Sequence, residues 1–318
     1  MNKVKIDDSS KNEIYKYIKT KFNGGFKKNS KDDTWDIKLE DFNELIKKYL
    51  FQYDGDINLE KLVKYSSKEM DNLINSIKKD KIEFNDKKDL EKVSFSKYFH
   101  ELYIRLDNFL IIEALNIKVC LYCNRNYIVN FKNNNGKQVT AQLDHFHNKD
   151  EFPFFSVTIE NLIPSCPTCN IRKSNLNKEI FNPYSDCFHN HANFKYNGIV
   201  DSDEKYDFFH EKRVKLELEY FGDEHEKIKA ENYNSVFNIK SIYNEHRNIV
   251  SDLLKKEIIY SDEYVEKLYE NYKGIFKSKK EVFDMVLNTD INEDEMNNSP
   301  MNKLICDISK QLGILKKR

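Results

Sequence analysis

What this chain of 318 residues lacks narrows what it can do. It has no charge excess: 52 lysines and arginines stand against 53 aspartates and glutamates, a formal net charge of −1. A protein that holds nucleic acid through a basic field over its whole surface is thereby excluded, and any such contact must be local. No apolar run approaches transmembrane length, so no membrane association is expected. The opening residues, MNKVKIDDSSKNE, carry no apolar stretch to act as a signal. A cytoplasmic, reducing location is the expectation, and there cysteines serve metals or chemistry rather than disulfides. Glycine is scarce, at 8 residues, and no internal repeat is visible. What is present, 39 % hydrophobic and 13 % aromatic residues, suffices for one to three domains with real cores.

The stretch from Cys120 to Lys178 organises the chain. Two Cys-x-x-Cys pairs, Cys120/Cys123 and Cys166/Cys169, bracket a Leu143-Asp144-His145 triplet. Asn130 to Gly136 (NFKNNNG) reads as a turn between the β-prone runs Tyr127–Val129 and Val139–Ala141, and a short helix is expected after Pro167. Two thiolate pairs on tight knuckles complete a tetrahedral zinc site, which would staple a segment too small for a core of its own. Two disulfides or four unrelated thiols are the alternatives. A histidine at a strand end is suited to general-base work, because its ordinary pKa lies near neutrality. Asp144 and the side-chain carbonyl of Asn170 are hard oxygen donors suited to Mg²⁺. Lys173 follows Asn170 by three residues, on the same helix face, where it could meet a phosphate. Singly, each has a plainer role: Asp144 and Asn170 as caps, His145 as packing. Between Lys118 and Glu179, eight basic and five acidic residues leave a local +3.

This set of residues resembles the HNH endonucleases of the ββα-metal, or His-Me finger, fold. Asp144-His145 in LDHFHNK matches the first motif of that family, Asn161 in IENLIP its central asparagine, and Asn170 in CPTCNIRK the place where many members carry a last histidine. Asparagine also occupies that last place in the HNH domain of RNA-guided CRISPR nucleases. The resemblance implies that His145 activates water, that Asp144 and Asn170 bind a catalytic Mg²⁺ or Mn²⁺, and that Asn161 holds the loop and orients His145; beside them Lys173, from its place on the helix, would add positive charge. A looser similarity at Phe181–Tyr184 and Tyr243–Arg247 extends to bacterial anti-phage HNH proteins of the retron- and Septu-associated type. It implies a defence role and a protein partner such as an NTPase.

Around this core the periodicity is legible. Phe42, Leu45, Ile46, Tyr49 and Leu50 form one helical stripe, Met70, Leu73, Ile74 and Ile77 another, and Phe99 through Leu110 a third. Ser10-x-x-Glu13 reads as a capping box. Val214, Leu216, Leu218 and Tyr220 alternate with charged residues as a strand does, and Ala192, Phe194 and Tyr196 suggest its partner. Cys187-x-His189-x-His191 raises the question of a second metal, against ordinary solvated histidines. The expected architecture is α+β: a helical region over 1–117, a zinc-stapled ββα-metal nuclease module over 118–185, and a mixed, mostly helical region over 186–318. The expected function is metal-dependent hydrolysis of phosphodiester bonds in DNA. An RNA-cleaving nuclease, or a non-catalytic zinc module binding nucleic acid or a protein, are the rivals.

Overall fold

Asp7, Asn58, Asp107, Asp223 and Ser261 cap the starts of five helices with their side chains in the computed structural model, which describes residues 3–22, 26–27, 34–35, 38–80, 95–134, 136–173, 178–199, 209–287 and 296–314. The helices are α1 (Asp8–Thr20), α2 (Leu39–Leu50), α3 (Leu59–Lys64), α4 (Ser67–Asp80), α5 (Phe95–Ile104), α6 (Asn108–Leu115), α7 (Pro167–Lys173), α8 (Phe188–His191), α9 (Glu224–Phe237), α10 (Ile239–Asn244), α11 (Arg247–Ile259), α12 (Asp262–Asn271), α13 (Lys279–Leu287) and α14 (Asn302–Gln311). Among the described residues the strands are β1 (Phe26–Lys27), β2 (Thr34–Trp35), β3 (Asn130–Asn133), β4 (Gly136–Val139), β5 (Gln142–His145), β6 (Leu162–Ser165), β7 (Ala192–Ile199) and β8 (Val214–Tyr220), paired as four antiparallel two-stranded sheets in sequence order. The protein is thus α+β, as its sequence pattern predicts. It divides into two compact units: Val4–Ile117 with Ile128–Asn170, and Met1–Lys3 with Lys118–Tyr127 and Ile171–Arg318.

In the first of these units, the apolar stripes become its core. Phe42, Ile46 and Leu50 of α2, and Met70, Leu73, Ile74 and Ile77 of α4, are buried. Two boundaries differ from the pattern. The cap of α1 is Asp7, whose Oδ1 accepts the Ser10 N–H at 2.8 Å, while the Ser10 hydroxyl reaches the Ala114 carbonyl. The Phe99–Leu110 stripe is two helices, because Asp107 accepts the Phe109 and Leu110 N–H groups and starts α6 anew. The β3–β4 hairpin pairs Asn130 with Val139 and Asn133 with Gly136, so its turn is tighter than the expected seven residues. Gly136, at φ +102°, supplies the backbone region that a side chain would resist.

A second antiparallel pair carries the candidate chemistry. β5 lies against β6 with Asp144 opposite Ile163 and His145 opposite Leu162. The loop between them packs onto the helices. Glu160 takes the Lys11 ammonium at 2.6 Å and the Ser67 N–H at 2.7 Å, and Thr158 donates to the Leu62 carbonyl at 2.8 Å. Phe154 and Phe155 are fully buried beside Phe95 and Tyr65. The order strand, anchored loop, strand, helix then ends in α7.

The other unit is organised on the β7–β8 ribbon and α14. Both strands of the ribbon are those the alternation predicts. Asn124, fully buried at φ +49°, accepts the Lys303 N–H on its side chain at 3.0 Å and the Met301 N–H on its carbonyl at 2.7 Å, which fixes the start of α14. Lys303 and Asp307 form a buried ion pair at 2.7 Å, and Asp307 also accepts the Phe194 N–H from β7. Burial lowers the lysine pKa and raises that of the aspartate, against their mutual attraction. Asp307→Ala is therefore expected to cost about 3–5 kcal/mol in urea unfolding, by stranding a buried ammonium. Lys303→Met with Asp307→Leu should cost clearly less than that single change. A single variant as stable as wild type would show that water reaches the pair.

Candidate metal centre and active site

All four cysteines of the two knuckles are buried, none is in a disulfide, and their sulfurs lie within 4.8 Å of one another. A tetrahedral zinc with Zn–S bonds of about 2.3 Å needs sulfurs about 3.8 Å apart, so the donor set fits a zinc ion in number, chemistry and spacing. Local backbone shapes each pair. The Asn124 N–H bonds the Cys120 carbonyl at 2.8 Å, Cys120 N–H bonds the Asn126 carbonyl at 2.9 Å, and Asn170 N–H bonds the Cys166 carbonyl at 3.0 Å. Around the first knuckle, the Tyr233 and Tyr243 hydroxyls donate to the Tyr122 and Cys123 carbonyls at 2.7 and 2.6 Å. Tyr122 stacks on Phe237 at 4.5 Å. Burial raises the Tyr243 pKa well above the ordinary phenol range, so its hydroxyl stays a donor.

His145 ends β5, half-buried, with its Nε2 3.1 Å from the Ser156 carbonyl. A carbonyl can only accept, so a neutral His145 carries its proton on Nε2 and its lone pair on Nδ1. The Tyr103 ring packs edge-on against the imidazole at 4.5 Å, and its hydroxyl lies 3.4 Å from the Leu143 carbonyl. Burial, then the Asp144 carboxylate, push the Tyr103 phenol above its ordinary pKa. Asp144 is 5 % exposed and precedes His145 on the strand, so the two side chains leave on opposite faces.

Asn161 is completely buried and clamps the loop across its base. Its Oδ1 accepts the His147 N–H at 2.7 Å, its Nδ2 donates to the His147 and Phe155 carbonyls at 3.2 and 3.0 Å, and its own carbonyl takes the Phe146 N–H. The residue following His145 is thus fixed from the far end of the loop. Asn170 donates to the Gln142 Oε1 at 2.7 Å, which directs its Oδ1 away from that bond. Gln142 and Asp144 share a strand face two residues apart, so Asn170 is moored about 7 Å along β5 from Asp144. Lys173 lies in the last turn of α7, one turn beyond Asn170. Tyr103 and Gln142 carried no motif signal, since their partners lie 42 and 28 residues away.

Cys187, His189 and His191 do not bring three ligand atoms together. The segment forms the short helix α8 rather than a strand, and His191 instead sits between Asp186, at 2.7 Å, and Glu226, at 3.9 Å. Ligand atoms of these last three residues lie within 4.8 Å of one another. The same Glu226 oxygen also accepts the Asp223 N–H in the capping box of α9. Burial, then Lys303 and Lys310, lower the His189 pKa to about 3. Among the described residues, no helix is long and apolar enough to cross a membrane. Compared with protein-family models, curated proteins and solved structures, the chain matches none.

Proposed function

We propose that the protein is a metal-dependent HNH-type endonuclease that hydrolyses phosphodiester bonds of DNA. The observation that carries this reading is the setting of His145. A backbone carbonyl holds its Nε2, which leaves Nδ1 as the basic nitrogen, and Asn161 pins the adjoining loop. β5, the clamped loop, β6 and α7 follow one another, and Asp144, His145 and Asn170 lie on these elements, which supports the ββα-metal reading.

In this reading His145 Nδ1 accepts a proton from water as that water's oxygen forms its bond to phosphorus. The P–O bond on the opposite side breaks, and the leaving oxygen takes a proton from solvent. Asp144 and the Asn170 amide oxygen would hold Mg²⁺ or Mn²⁺, which when bound supplies charge stabilisation at the phosphate and the leaving oxygen. Lys173 would add a fixed positive charge on the same helix face as Asn170. The four cysteines would hold a structural zinc, apart from the chemistry.

A near-neutral chain has modest non-specific affinity at physiological salt, so cutting is expected to need a trigger or a protein partner. An anti-phage effector gated by an NTPase fits that requirement. The purified protein, incubated with plasmid, single-stranded DNA and tRNA under Mg²⁺ and Mn²⁺, tests the reading. Cleavage of DNA supports it, and cleavage of tRNA alone moves the substrate to RNA. Binding without cleavage, even with the native partners, would make it a zinc module.

A further inference from the structure

A cleft of about 340 Å³ opens beside the candidate base, lined by Ser96, Lys97 and His100 of α5 and by Lys149, Asp150 and Ser156 of the loop after β5. Two of its lining residues, Ser156 and Lys149, connect it to His145. The Ser156 carbonyl is the group that holds His145 Nε2, at 3.1 Å. The Lys149 ammonium lies 5.2 Å from the centre of the Tyr103 ring, and that ring packs against His145. Among the described residues, two lysines, an imidazole and two serines meet a single carboxylate in its lining.

One carboxylate among cations argues against a metal ion. The lining suits an anion. Lysines bind phosphate as point charges, serine hydroxyls donate to its oxygens, and cations converging in a concave site focus their field. The volume lies at the lower end of the range for small-molecule sites, about 300–1,000 Å³, which is room for one backbone unit. We propose that this cleft binds a phosphate of the substrate strand next to the one that is cleaved. α5, a helix outside the ββα motif, would then set how the strand lies across His145. The proposal rests on the nuclease reading above.

Lys97 and His100 are both exposed on α5, so their replacement should leave folding intact. The test is anisotropy titration of a fluorescent DNA oligonucleotide with full-length His145→Ala protein, alone and combined with Lys97→Ala and His100→Ala. The added changes are expected to weaken binding about tenfold and to reduce the slope of log affinity against log salt by about 1. In protein that retains His145, Lys97→Ala and His100→Ala should raise KM far more than they lower kcat. Unchanged affinity and slope in a protein that melts normally would overturn the cleft and leave the nuclease reading standing. A wild type that binds and never cuts would refute the nuclease reading, and with it the placing of the cleft beside a scissile phosphate.

Discussion

Cys166→Ser should yield protein that has lost its zinc and much of its cooperative unfolding, whereas wild type purified without added zinc should carry one ion per chain. The expected size follows from two ranges. Structural zinc bound by such ligand sets contributes about 10–16 kcal/mol near neutral pH, while domain stabilities are about 5–15 kcal/mol. Loss of one ligand therefore removes a quantity comparable with the whole stability. The geometry sharpens the point, because four buried sulfurs outside any disulfide are gathered within 4.8 Å, as a shared metal ion requires. Elemental analysis and thermal melting, with and without a chelator, measure both effects. A reductant alone should change neither. Zinc-free protein that melts like wild type would remove the staple from this account.

The knuckles were legible because the signal is local: two residues of spacing decide whether two thiolates share an ion. Helices were legible for the same reason, and α2 and α4 bury the residues their stripes predict. The misses share a cause. Asp107 interrupts the Phe99–Leu110 stripe with a cap that periodicity does not see. β6 has no alternation to betray it, since Leu162 through Ser165 are all buried, and Pro164 speaks against a strand unless the strand is an edge. The settings of His145 and Asn170 depend on Tyr103, Ser156 and Gln142, which reach them through tertiary structure. The cleft was invisible because Lys97 and His100 lie on the face of α5 that the apolar stripe leaves to solvent. Even the anchoring of the loop by Glu160 depends on Lys11, 149 residues away. Residue types for the chemistry can be read from the chain, whereas their orientation cannot.

His145→Ala should abolish cleavage while zinc content, melting temperature and DNA affinity stay close to wild type. Loss of a general base typically costs about 10²–10⁴ in rate, and more if water is also misplaced. Folding should survive because the imidazole is half-buried and lies outside the four-cysteine set, with the strand held instead by its pairing to β6. The Ser156 carbonyl left behind sits next to a cleft that admits water, so its bond can be replaced. Added imidazole should restore part of the rate in the His145→Ala protein, a response that a merely structural histidine would not give. Asn170→Ala should also lower activity severely, whereas Asn170→Asp should keep a fraction, since it still presents an oxygen to a hard cation. The readouts are single-turnover rates on labelled DNA, with anisotropy for binding. A His145→Ala enzyme that cuts at the wild-type rate would leave the carbonyl-set histidine without a chemical role and the proposed mechanism without its base.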